Sequence, residues 1–176
     1  MAAHAVPFVS VEEYLRGDYE PDCDYVDGVL EERHLGERDH GEMELAICTY
    51  FKGKGRKPNI RPYLEQRVQV KPTRYRVPDV CLMIGPKPTE QIFTSPPAIV
   101  IEVLSPEDRL PRIQRRVDDF LNFGVKRVWL IDPASRRSWE WDRAGMREVP
   151  DGLFIDAELD ITLPLSEIFA AIDADE

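Results

Sequence analysis

The chain has 176 residues, 43% of them hydrophobic and 32% charged, with a formal net charge of −10. This length suits one domain with a sizeable core, and this balance excludes a disordered or fibrous chain. The acid excess opposes broad, non-specific attraction to a polyanion, although residues 52–61 (KGKGRKPNIR) and 109–116 (RLPRIQRR) form two local basic clusters. No apolar run approaches the roughly 20 residues that span a bilayer. The first residues lack the basic stretch and long apolar run of a signal peptide. Cys23, Cys48 and Cys81 form no CxxC pair, so neither a disulfide framework nor a zinc site is indicated, and a cytoplasmic location is expected.

In chain order, VEEYLRG predicts a short helix stopped by Gly17. DYVDGVLEER predicts a hairpin, because Asp27-Gly28 is a strong two-residue turn signal. Met43, Ile47, Tyr50 and Phe51 fall at helical spacing from about His40 to Phe51, with Gly53 as the stop. IRPYLEQRVQV ends in strand-like alternation and VPDVCLMI is a short apolar strand. PPAIVIEVLSP is a near-continuous apolar run, as in a central strand covered on both faces. Ser105-Pro106 ends that strand, and Glu107 and Asp108 suit the start of a helix. Leu110, Ile113, Val117, Phe120 and Leu121 then share one face as far as Gly124, with Pro111 in the first turn. VKRVWLIDP is another buried strand, which predicts a right-handed parallel crossover between Ala98 and Asp132. RRSWEWDR and MREV continue it antiparallel, and a strand at DITLPL and a helix at SEIFAAI close the chain.

Two acids interrupt these apolar strands. Glu102 sits inside AIVIEVL and Asp79 follows Pro78. A buried charge is costly unless paired or metal-bound. Carboxylates on two adjacent strands can converge on Mg²⁺, which takes few protein oxygens and keeps waters and phosphate oxygens as its other ligands. A buried Glu satisfied by an Arg or by backbone donors is the structural alternative.

VPDVCLM, IVIEVLSPEDR and FLNFGVKRVWLIDP, with YVDGVLEER, His40 and LEQRVQVKPTRYRVPDV upstream, resemble the Uma family of the PD-(D/E)XK nuclease superfamily. The resemblance covers about Asp24 to Asp142. It implies an α/β fold, a restriction-endonuclease-like mixed β-sheet flanked by helices. The whole of 1–176 would be one domain, its core at about 24–142, with an N-terminal helix and a C-terminal strand and helix added. It implies Asp79 and Glu102 as metal ligands, with the Val103 carbonyl as a further one, holding Mg²⁺ or Mn²⁺ for hydrolysis of DNA phosphodiesters. The superfamily's Lys, two residues after the second acid, is absent: Leu104 stands there, and the family's Lys on the next helix corresponds to Arg116. Helical spacing puts Arg109, Arg112 and Arg116 on one flank and aims Arg116 toward Glu102. An Arg cannot act as a base, but it can bind phosphate. The alternative for this row is a solvated face partnered by Asp118 and Asp119.

Glu65, Glu44 and His40 are additional candidates. Glu65 lies in a strand expected beside that of Asp79, and Glu44 lies on the first long helix, where superfamily members often add a metal-binding acid. Glu44 also reads as a solvated residue, and His40 as a helix cap or a substrate contact. Trp139 and Trp141 read as packing. GKGRKP fits no phosphate loop and Ser105 no nucleophile elbow. The expected function is a metal-dependent DNA endonuclease. The alternatives are an inactive nuclease-fold protein serving as a dimeric binding or scaffold module, and a hydrolase of another phosphorylated substrate. A homodimer is expected from Ile161, Leu163, Leu165, Ile168, Phe169 and the WEW strand, which offer apolar surface to cover.

Overall fold

The structure, a computed structural model, describes residues 8–20, 22–33, 37–53 and 59–174; His4, His34 and part of the basic cluster at 52–61 lie outside them. A capping box sets the first helix, α1 (Val11–Arg16): Ser10 Oγ accepts from the Glu13 N–H and the Glu13 carboxylate accepts from the Ser10 N–H. Strands β1 (Cys23–Val26) and β2 (Val29–Glu32) form the expected hairpin. Its turn residues, Asp27 (φ 49°) and Gly28 (φ 96°), are both left-handed, as a two-residue hairpin turn matched to strand twist requires. Helix α2 (Arg38–Lys52) buries Met43, Ile47, Cys48 and Phe51 and ends at Gly53.

Strands β3 (Ile60–Leu64), β4 (Val68–Lys71), β5 (Arg74–Arg76), β6 (Val80–Ile84) and β7 (Ile99–Val103) follow, then helix α3 (Leu110–Phe123). Strands β8 (Arg127–Asp132), β9 (Arg137–Asp142), β10 (Gly145–Glu148), β11 (Leu153–Asp156) and β12 (Ile161–Pro164) lead to helix α4 (Leu165–Asp173). The main sheet has the order β10-β9-β8-β7-β6-β3. Its β7–β8 pair is parallel, bridged by α3, and its other pairs are antiparallel. A four-stranded sheet, β2-β1-β5-β4, and the β11–β12 hairpin complete the strands.

Alternation along β7 assigns the two faces of the main sheet. Ile99, Ile101 and Val103 join a core made with α2, α4 and β12, whereas Val100 faces the core made with α3. Glu102 therefore shares the α3 face. Trp139 and Trp141 pack, half-buried, against that same α3 core, as packing residues should.

Three expectations are corrected. The run IRPYLEQRVQV is not continuous: β3 joins the main sheet, β4 joins the smaller one, and Glu65, with φ 44°, sits at the break. Leu110 starts α3 but is exposed, and Glu107 and Asp108 precede the N-cap Arg109 rather than occupying the first turn. Ile161, Leu163, Leu165 and Ile168 are buried in the chain's own core, with Phe169 packed against it, so they offer no surface to a second copy. Strands β5 and β11, of three and four residues, are too short to leave a periodic signal.

Candidate functional site

Strand register brings the two acids together. Val80 pairs with Ile101, so one further step along the antiparallel β6–β7 pair sets Asp79 opposite Glu102 at one end of the sheet. Asp79 Oδ2 accepts a 2.7 Å hydrogen bond from the Val103 N–H, which fixes its carboxylate beside β7. Both acids line a small cleft of about 40 Å³ with Val103, Arg33, His40, Arg112 and Arg116. Arg116 Nη2 donates to both oxygens of Glu102, at 2.8 and 3.0 Å, and to the Val77 carbonyl at 3.1 Å. Helical spacing on α3 thus delivers Arg116 to the acid it was expected to meet.

Residues from other elements crowd Asp79. Arg33, just past β2, places Nη2 2.6 Å from Asp79 Oδ1 and Nη1 3.0 Å from Glu65 Oε1. The Glu65 N–H also donates to the Asp79 carbonyl, so Glu65 neighbours Asp79 from a bend rather than from a strand. His40 lies inside α2, three residues past its N-cap Glu37, and is not the cap. Its Nε2 is 3.4 Å from Asp79 Oδ2, and its Nδ1 is 3.7 Å from Glu44 Oε1, one helical turn on.

The electrostatics differ from acid to acid. Burial raises Glu44 to about 7, with Asp79 adding to the effect and His40 opposing it. Glu44 is not the solvated residue its helix position allows, since its side chain is only 12% exposed. Burial likewise raises Glu102 above the usual carboxylate range, against the pull of Arg116. For Asp79, burial is outweighed by His40 and Arg33, which hold it below its ordinary value.

Behind the cleft lies a buried charge chain. Asp24, on β1, accepts from Arg116 Nη1, from Arg76 Nη1 at 2.8 Å and from the Val77 N–H at 2.8 Å. Arg76 also reaches Asp119 of α3 and Glu31 of β2. Asp119 is therefore the partner of Arg76 and Arg74, not of Arg109 or Arg112, while Asp118 is exposed. Arg109 is exposed and donates to nearby carbonyls. Arg33, Asp24 and Arg76 lie within the segments that carry the family resemblance, but no spacing or periodicity in the sequence assigns them to the site.

The donor set suits a divalent ion. His40, Glu44 and Asp79 each offer a ligand atom, all within 4.8 Å of one another. Glu44 Oε1 is buried and has no hydrogen-bond partner among the described residues. Among the described residues no helix is long and apolar enough to cross a membrane.

Comparison with known proteins bears on the family and the fold. The family model Uma2, described as "Putative restriction endonuclease", matches residues 11–167. The crystal structure of a "putative nuclease belonging to DUF820" from Anabaena variabilis has a TM-score of 0.76 to this chain at 21% identity. The match covers 93% of this chain and 99% of that one, a likeness that bears out the mixed, helix-flanked sheet. Nothing among the curated proteins matches.

Proposed function

This chain belongs to the Uma2 family of restriction-endonuclease-like proteins, and on that premise we propose that it is a metal-dependent DNA endonuclease acting through Asp79 and Glu102. One observation carries the reading: the family match spans two buried carboxylates that strand register sets opposite each other in a single cleft. Asp79, Glu102 and the Val103 carbonyl are the proposed holders of Mg²⁺ or Mn²⁺. When bound, such an ion neutralises charge on a phosphate and acidifies a water. The protein's own groups orient that chemistry. The Val103 N–H fixes Asp79, and Arg116 fixes Glu102. Arg116 stays protonated, so it lends positive charge to the cleft and takes no proton. We read the chain as one domain carrying this one site, because α4, at the far end of the sequence, packs with α2 in the same core.

The test is plasmid cleavage with Mg²⁺ or Mn²⁺ by wild type, Asp79→Ala and Glu102→Ala. Each substitution should lower the rate by at least about 100-fold, since ligands matter more than the groups that orient them. Cleavage that survives both substitutions removes this mechanism.

A second reading has its own support: Arg33 sits on Asp79 and Arg116 on Glu102, so each acid already has a cation. On that reading the chain is an inactive nuclease fold that binds or scaffolds. Failure to bind either metal at millimolar concentration, with DNA binding retained, would favour it.

A further inference from the structure

We infer that Arg33 is a phosphate-binding residue of this site: it neutralises Asp79 in the metal-free protein and turns to a phosphate oxygen of the substrate once an ion has taken Asp79. The inference rests on the endonuclease reading above and adds a residue to it.

Arg116 and Arg33 each pair with a proposed metal ligand, but they are held differently. Arg116 is fixed from several sides, by Asp24, by the Val77 carbonyl and by both oxygens of Glu102. Arg33 has two side-chain partners, Asp79 Oδ1 at 2.6 Å and Glu65 Oε1 at 3.0 Å, and its Nε–H has no acceptor among the described residues. One of these partners stands at the surface: the Glu65 side chain is 59% exposed, against 7% for Asp79. The main chain is anchored separately. The Arg33 N–H donates to the Asp22 carbonyl at 3.0 Å, one step beyond the Cys23–Glu32 pair of the β1–β2 hairpin. A fixed backbone and a tether at Glu65 let the guanidinium change partner without leaving the cleft.

The two roles meet at Asp79. Its Oδ2 accepts from the Val103 N–H at 2.7 Å, and Arg33 is the partner of its Oδ1. An ion held by Asp79 needs a lone pair of that carboxylate, and it repels a guanidinium 2.6 Å from the same group. Arg33 and the ion therefore compete for Asp79. Where the ion wins, Arg33 is a largely buried cation that has lost its closest anion, a costly state. A substrate phosphate in the cleft supplies the missing anion, and the planar guanidinium suits two oxygens of one phosphate. Arg116 would have to release Glu102 to do the same.

The test uses the full chain as wild type, Arg33→Gln and Arg33→Lys, with calorimetric titration of Mn²⁺ and plasmid cleavage at saturating Mn²⁺. The two readouts should move in opposite directions. Arg33→Gln should bind Mn²⁺ at least about fivefold more tightly, since a competing charge has gone, yet cleave at least about tenfold more slowly. Arg33→Lys keeps the charge but not the fork. Its Mn²⁺ affinity should stay within about threefold of wild type, and its cleavage should fall between the other two. A residue that only supports the fold would weaken binding and cleavage together, so weaker Mn²⁺ binding by Arg33→Gln overturns the inference. Cleavage by Arg33→Gln as fast as wild type, or faster, also overturns it and leaves the endonuclease reading standing, because Arg33 would then only obstruct the ion. Should Arg33→Gln fail to fold, Arg33→Lys decides alone: a fall in cleavage at unchanged Mn²⁺ affinity supports the inference, and wild-type cleavage overturns it. Wild type that cleaves no DNA overturns both readings.

Discussion

Asp24 is fully buried on β1, yet its carboxylate meets two guanidiniums and a backbone N–H. Burial alone would raise its pKa, but Arg116 and Arg76 outweigh burial and hold it below its ordinary value. A carboxylate depressed in this way contributes stability above the unfolded pKa of about 3.9 and loses it as pH falls through the lower folded value. Asp24→Asn should therefore cost about 3 kcal/mol at pH 7, as expected for a broken buried pair. That difference from wild type should persist at pH 5 and shrink below about pH 4, where the unfolded chain takes up a proton that the folded Asp24 does not. Urea midpoints at pH 7, 5 and 3 measure it, and a pH-independent difference would mean that Asp24 acts by shape rather than charge. The residue scale is also where the sequence is least legible. Glu102 announces itself as one charge in an apolar run. Asp24 and Arg76 lie in strands of four and three residues, too short to set off an interruption. Arg33 lies on no regular element, and its approach to Asp79 exists only once the chain past β2 reaches the residue that precedes β6.

At the scale of elements, α3 transmits sequence pattern into the site. Its apolar face, Val117, Phe120 and Leu121, seats on the sheet and so fixes where Arg116 points. The helix must stop and turn at once into β8, and Gly124 does this at φ 122°, with its N–H donating to the Phe120 carbonyl at 3.1 Å. An L side chain is strained there, and an added Cβ would come within 3.3 Å of the Pro96 ring. Gly124→Ala should lower stability by about 1 to 2 kcal/mol, read as a lower urea midpoint at an unchanged slope. An unchanged midpoint would show that the loop relaxes freely. Elements of this kind are legible in sequence because their signals are local: a DG turn, a 3.6-residue stripe, a glycine stop. Where partner choice is non-local, legibility fails. Nothing in IRPYLEQRVQV tells that its two halves join different sheets, because only its end alternates and the kink at Glu65 is set by what each half pairs with. The tail misleads for the same reason. Its apolar side chains read as surface to cover, and the chain covers them itself with α2.

For the whole molecule, a net charge of −10 has to be reconciled with a phosphate-bearing substrate. Arg33, Arg112 and Arg116 line the cleft, beside Asp79, Glu102 and Asp108. The adjoining cavity, about 340 Å³, is lined by Glu37, Asp39, Asp108 and Asp132 as well as by His40. A DNA backbone meets cations only over a short arc and meets repulsion beyond it, so binding must depend on few phosphates. Each neutralised phosphate on duplex DNA contributes about −0.9 to the slope of log affinity against log salt. Arg33 stays paired with Asp79, so Arg112 and, once Glu102 is Gln, Arg116 predict a slope of about −1 to −2 for a duplex bound to Glu102→Gln protein, in which cleavage is blocked. Fluorescence anisotropy over a salt series measures it. A slope beyond about −5 would place the DNA on a wider basic surface outside the cleft and would take the cleft's own cations out of the leading role. Asp39→Asn with Asp132→Asn separates the cases further. Removing two rim acids should tighten binding severalfold if the backbone passes through this cleft, and should do little if it binds elsewhere.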